Sequence, residues 1–222
     1  MTARETVLGI LGKDRELKAV DPGQFSRMSK SGMTFVISAF DTAKEEGKGS
    51  YRVSFIDMKA MLGLMKMETV IITSDDRDVP LFSFDVISAM EKNTVLAEGY
   101  DTMVGDAPEE FLEKGRKIKA VYDTLPDYAR EARWYDAILY PFSLAKTGKE
   151  VKDRITGIVS DYTGLFKEWL TAAPEVTPEE KKAATGDYVT RLLSEGGAST
   201  DQFKKLFGEE KTDGLFRFLF NV

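Results

Sequence analysis

Between Met33 and Tyr100 the chain carries five β-type runs in succession, and this feature restricts its fold more than any other. They are M-T-F-V-I-S-A-F-D-T (33–42), Y-R-V-S-F-I-D-M (51–58), M-E-T-V-I-I-T (67–73), L-F-S-F-D-V-I (81–87) and T-V-L-A-E-G-Y (94–100). Polar loops such as A-K-E-E-G-K-G-S (43–50) join them. Loops this short do not carry a parallel crossover, so the runs imply an antiparallel meander. The stretch M-K-A-M-L-G-L-M-K-M (58–67) reads either as an extension of its hairpin or as a helical turn.

The fourth run places a carboxylate where a strand should be apolar. Alternation puts Phe82, Phe84 and Val86 on one face, and Leu81, Ser83, Asp85 and Ile87 on the other. Alternation alone leaves two readings of Asp85, a solvent-facing charge or an acid working in a pocket.

The rest of the chain is helical in pattern. A short helix is expected over residues 3–12, before V-D-P-G-Q-F and S-K-S-G break the pattern. Helices are also expected over 108–122 and 149–171, separated by an aromatic-rich irregular stretch. The 149–171 segment carries an apolar stripe at i, i+3, i+4 spacing, including Val151, Ile155, Ile158, Tyr162, Phe166 and Trp169, which reads as core. T-P-E-E (177–180) is a capping box with proline at the first helical position, and Gly196 and Gly197 end that helix. Two shorter helices follow, D-Q-F-K-K-L-F and G-L-F-R-F-L-F. No linker divides the 222 residues, so one domain is expected, strand-rich over 33–100 and helix-rich over 105–222. Strands followed by helices imply an α+β fold, a three-layer α/β/α sandwich with a central antiparallel sheet flanked by helices. Helices on both faces would take Asp85 out of open solvent.

Composition shortens the chemical menu. The chain has no histidine and no cysteine. That removes Ser-His triads, thiol nucleophiles, iron–sulfur ligation and the usual zinc sites. Proton chemistry near neutral pH must then use Asp, Glu, Tyr or Lys with shifted pKa values. No G-x-x-x-x-G-K-[S/T] or G-x-G-x-x-G occurs; G-K-G-S-Y-R (47–52) reads as a hairpin loop. A net charge of −6 argues against general nucleic-acid binding. The absence of a long apolar run or a secretory leader pattern gives a cytoplasmic expectation with no membrane partner.

The turn and strand D-V-P-L-F-S-F-D-V-I (78–87) resemble the D-L-P-x-F-G-x-D-L-V segment of the ferredoxin-dependent bilin reductases and red chlorophyll catabolite reductase. Y-P-F-S (140–143) resembles that family's F-S segment before a long helix, and K-K-L-F-G-E-E-K-T-D-G-L-F-R-F-L-F-N (204–221) resembles its closing segment. The likeness spans residues 33–222 with sparse identities. It implies a linear tetrapyrrole held between sheet and C-terminal helices and reduced at a CH–CH group. Electrons would come singly from ferredoxin or flavodoxin, with no intrinsic cofactor or metal. It makes Asp85 the proton donor, because electrons added to an extended π-system make it basic.

Glu68 stands where the phycocyanobilin-forming member has histidine, and it reads either as a second acid beside Asp85 or as an outward hairpin charge. Ser83 and Tyr51 are the expected substrate contacts, Asp57 lies on a strand next to the expected site, and Lys146 approximates a family cation for pigment propionates or is a surface lysine. The family's upstream C-terminal aspartate is missing, because Gly197-Ala198-Ser199 occupies its place and Asp201 lies too close to Phe207-Gly208. The resemblance therefore implies a tetrapyrrole reductase, with a non-catalytic tetrapyrrole carrier on the same scaffold as the alternative. Docking of an acidic electron donor would need a basic face, either Lys114–Lys119 or Lys181, Lys182, Lys204 and Lys205.

Overall fold

The computed structural model describes every residue except Lys44, so that residue of the expected 43–50 loop lies outside the described residues. Helix α1 (Ala3–Leu11) opens the chain. Strands β1 (Leu17–Val20), β2 (Arg27–Lys30), β3 (Met33–Thr42), β4 (Tyr51–Ala60), β5 (Met65–Ser74), β6 (Leu81–Ala89) and β7 (Lys92–Tyr100) follow. After α2 (Glu109–Ala120) come β8 (Leu144–Gly148), α3 (Ile155–Ala172), α4 (Pro178–Ser194), α5 (Ala198–Phe207) and α6 (Glu209–Phe220). The strands form one eight-stranded sheet in the order β1-β3-β4-β5-β6-β7-β8, with β2 also paired to β3. Every strand pairing is antiparallel, as the short loops require.

The ambiguous stretch 58–67 resolves as a longer hairpin. Its residues extend β4 to Ala60 and begin β5 at Met65, with a 3-10 turn over Met61–Gly63. Three strands carry no alternation strong enough to read from sequence. Strands β1 and β2 are only four residues long, and β8 hides in the irregular stretch before the long helix. The stripe from Ile155 onward belongs to α3, which starts later than expected, because Val151 precedes a 3-10 turn over residues 152–154.

Helices cover both faces of the sheet, so strand alternation sorts side chains between two cores. Val53, Phe55, Phe82 and Phe84 point toward α1, α2 and α3. There Trp169 lies flat on Phe111 with ring centroids 5.0 Å apart, and Phe142 stacks on Phe82 at 5.8 Å. Gly99 and Gly115 are both pressed against Phe142, since a Cβ at either would stand 2.6 Å from its ring or ring-bearing carbons. On the other face Phe35, Ile37 and Leu81 meet Val189 of α4, Phe203 of α5 and Leu215 of α6.

The capping box at Thr177 forms in both directions: the Glu180 amide donates to Thr177 Oγ1 at 3.2 Å and the Thr177 amide to Glu180 Oε2 at 3.1 Å. Gly208 at φ 87° separates α5 from α6, letting the chain reverse without a Cβ penalty. No helix among the described residues is long and apolar enough to cross a membrane.

Candidate functional site

The second face does not close completely. Where Thr69, Ser83 and Asp85 on the sheet confront Gly197, Ala198 and Ser199 at the start of α5, small side chains leave a cavity of about 440 Å³. The cavity opens to solvent beside Glu131 and Ala198, and its size lies within the range of small-molecule sites. The wall opposite the sheet is formed by Tyr188 and Leu192 of α4 and by Phe216 and Phe220 of α6. Met58, Met65 and Met67 line one end, while Arg130, Arg133 and Tyr135 stand at one side.

Asp85 projects into this cavity from the middle of β6, as its alternation with Phe84 and Val86 demands. Thr69, directly opposite on β5, donates its hydroxyl hydrogen bond to Asp85 Oδ1. No ion pair to a cation reaches Asp85 among the described residues. Burial pushes its carboxyl up from the ordinary aspartate range, and the Thr69 hydrogen bond opposes that only in part. Asp85 is thus half-buried and borders the cavity, with its proton held to higher pH than that of an exposed aspartate.

Glu98 is a second acid in the same cavity. It pairs with Ser83 across β6–β7, while Asp85 pairs with Leu96, so the two acids are diagonal neighbours on one face. Glu98 is buried; its Oε2 accepts from the Tyr100 hydroxyl at 2.5 Å and its Oε1 faces the Arg130 guanidinium at 3.4 Å. Burial raises its carboxyl first; Asp85 adds to the rise, and the Tyr100 hydrogen bond and Arg130 work against it. Arg130 is held in turn by Asp136 at 2.5 Å and lies 5.3 Å over the Tyr135 ring. Tyr100 packs against Tyr188 with ring centroids 5.1 Å apart, and burial holds its hydroxyl protonated.

Of the residues expected from sequence, Ser83 and Asp85 share the cavity, and Glu68, Tyr51 and Lys146 do not. Strand parity decides Glu68. It is opposite Val86 rather than Asp85 and points to the other face, where its Oε2 accepts from the Ala3 amide at 2.8 Å. It is neither a partner of Asp85 nor a free hairpin charge, but an acceptor for the first turn of α1. Asp57, paired with Glu68 across β4–β5, holds Arg4 at 3.1 Å beside it.

Tyr51 also faces α1 and α3. Its hydroxyl donates to the Leu11 carbonyl at 3.1 Å, and its ring meets Phe166 edge-on at 5.8 Å. Lys146 shares the face of Val95 and is buried there, donating to the Leu125 carbonyl at 3.0 Å and to Asp127 at 2.7 Å. It is neither a surface lysine nor a cavity cation.

The expected basic faces are engaged only in part, with Lys117, Lys182 and Lys205 left exposed. Lys114 pairs with Glu168, Arg116 with Glu109 and Glu113, and Lys119 donates to the Pro141 carbonyl. Lys181 is buried and donates to the carbonyls of Val79 and Thr102 at 2.6 and 2.7 Å. Burial lowers its ammonium to about 8. The cations that reach the cavity are Arg130 and Arg133, from the irregular segment, where sequence offered no periodicity to place them. Glu98 carried the same signal as Asp85, a carboxylate inside an otherwise apolar strand. Among the described residues no cluster of three or more acids could hold a metal ion. The chain matches no protein-family model and none of the curated proteins.

Proposed function

We propose that the protein binds a linear tetrapyrrole or a similarly extended conjugated ligand between its sheet and α4–α6, and protonates it from Asp85 during reduction by an external one-electron donor. The observation that carries this reading is a half-buried acid without a cation partner among the described residues, bordering a cavity between the sheet and the C-terminal helices. That is where the resemblance of D-V-P-L-F-S-F-D-V-I leads one to look for both pigment and donor. Reduction by two electrons, delivered singly by a ferredoxin- or flavodoxin-like protein, requires two protons. Asp85 supplies one, and Glu98 is placed beside it to supply the other. Tyr100 and Tyr188 give flat surface to a conjugated ligand, and Arg130 and Arg133 give positive charge for its carboxylates. Glu98 takes the role first considered for Glu68.

A carrier that holds such a ligand without reducing it is the second reading. It is favoured by Gly197-Ala198-Ser199, which lines the cavity without the carboxylate that the resemblance to bilin reductases leads one to expect there.

Titration with biliverdin, followed by visible absorption, tests binding. A saturable spectral shift that changes in Asp85→Asn is expected, and no shift refutes the ligand class. Anaerobic addition of reduced ferredoxin then separates the readings. Bleaching or a new product band that Asp85→Asn abolishes means reduction, and a bound pigment that persists unchanged means a carrier.

A further inference from the structure

The end of the sheet where β4 turns into β5 and β6 into β7 exposes apolar side chains that folding leaves uncovered. Leu62 is 106% exposed and Met90 83%, and Met61 and Leu64 are exposed beside them. The two tips touch, with the Met90 amide donating to the Leu64 carbonyl at 3.2 Å. Met61, Leu62 and Met90 have φ of 50°, 57° and 55°, the left-handed region where Gly or Asn is favoured. At these positions a polar or glycine turn would be both less strained and better hydrated. Apolar residues there carry two costs with no packing return within the chain.

Behind the tips lies a basic collar. Lys59 and Lys66 stand directly opposite one another, a like-charge pair that a strand ladder otherwise disfavours, and Lys92 begins β7 opposite Ala89. Lys30 ends β2 at the neighbouring turn. All four lysines are exposed, and among the described residues none of them makes an ion pair within the chain. The acid at this end, Glu91, is paired with Lys149, and Asp57 and Glu68 further in are engaged by Arg4 and the start of α1. A chain of net charge −6 thus carries a local excess of positive charge around its most exposed apolar residues.

We propose that these hairpin tips dock the protein on an anionic phospholipid surface, with Met61, Leu62, Leu64 and Met90 entering the interface and the lysines meeting headgroup phosphates. Convex apolar tips with a cationic collar suit a soft interface, whereas a protein partner would need a cleft shaped to them. Lysine stems bury along the apolar surface while their ammonium groups reach the phosphates. No described helix is long and apolar enough to cross a membrane, but attachment by turns needs no span. The same strands bring Met58, Met65 and Met67 into the cavity wall, so an apolar solute leaving the lipid meets apolar surface on the way to Asp85. The attachment does not depend on the identity of that ligand.

Co-sedimentation of the whole chain with phosphatidylcholine vesicles, with and without phosphatidylglycerol, tests this. Pelleting only with phosphatidylglycerol is expected, weakening as salt rises. Lys59→Gln and Lys66→Gln should each reduce partitioning by about five-fold. The double change Leu62→Ser with Met90→Ser should reduce it by about ten-fold or more, with the thermal unfolding midpoint unchanged because both side chains are exposed. No pelleting at low salt overturns the proposal. So does pelleting that the double serine variant retains in full, or capture by an acidic protein without any binding to vesicles.

Discussion

Replacing Asp85 with asparagine should change how stability depends on pH, and the sign follows from burial. In the unfolded chain Asp85 ionises near its ordinary value of about 3.9. In the folded chain burial holds the proton on to higher pH. Above the ordinary value the native state therefore binds one more proton than the unfolded state, and stability falls as pH rises. The fall continues until pH passes the native ionisation, with a slope of about 1.4 kcal/mol per pH unit for one proton. Asparagine keeps an oxygen for the Thr69 hydroxyl and never ionises, so the variant lacks this loss.

The stability of Asp85→Asn minus that of the wild type should climb with pH by up to about 1.4 kcal/mol per unit. The climb opens just above the ordinary aspartate value and flattens once the native acid ionises. Urea unfolding followed by circular dichroism across acidic to neutral pH measures both curves, and groups common to the two proteins cancel in the difference. Glu98 is the exception, because the Asp85 charge helps to raise it, so the comparison is repeated in a Glu98→Gln background. Parallel curves would refute the reasoning. They would mean that Asp85 ionises as an exposed aspartate does, solvated within the cavity and unable to hold a proton for a ligand at neutral pH.

Two further outcomes separate structural residues from the site. Glu68→Ala should lose about 1 kcal/mol in urea unfolding, by removing the acceptor of the first α1 amide, while biliverdin binding stays as in the wild type. Gly115→Ala should lose about 1–3 kcal/mol, because the new methyl group meets Phe142, which Gly99 hems in from the sheet side; a thermal melt unchanged from wild type would show that the ring has room to move.

Sequence by itself determined the meander, the two-faced alternation of β6, the capping box of α4 and the apolar stripe of α3. These are local signals, set by a strand period of two, a helix period near 3.6 and the chemistry of caps. Alternation by itself also places Ser83 and Asp85 together on one face. It could not say which neighbouring strand residue shared that face, because register moves by single residues and each step inverts the side chain. Thr69, not Glu68, therefore meets Asp85, and Tyr51 and Lys146 belong to the opposite core. Glu98, Tyr100, Arg130 and Tyr188 come from β7, an irregular segment and α4. Only the stacking of helices on the sheet brings them around one cavity, whose hollow depends on how small residues on two layers face each other across the fold.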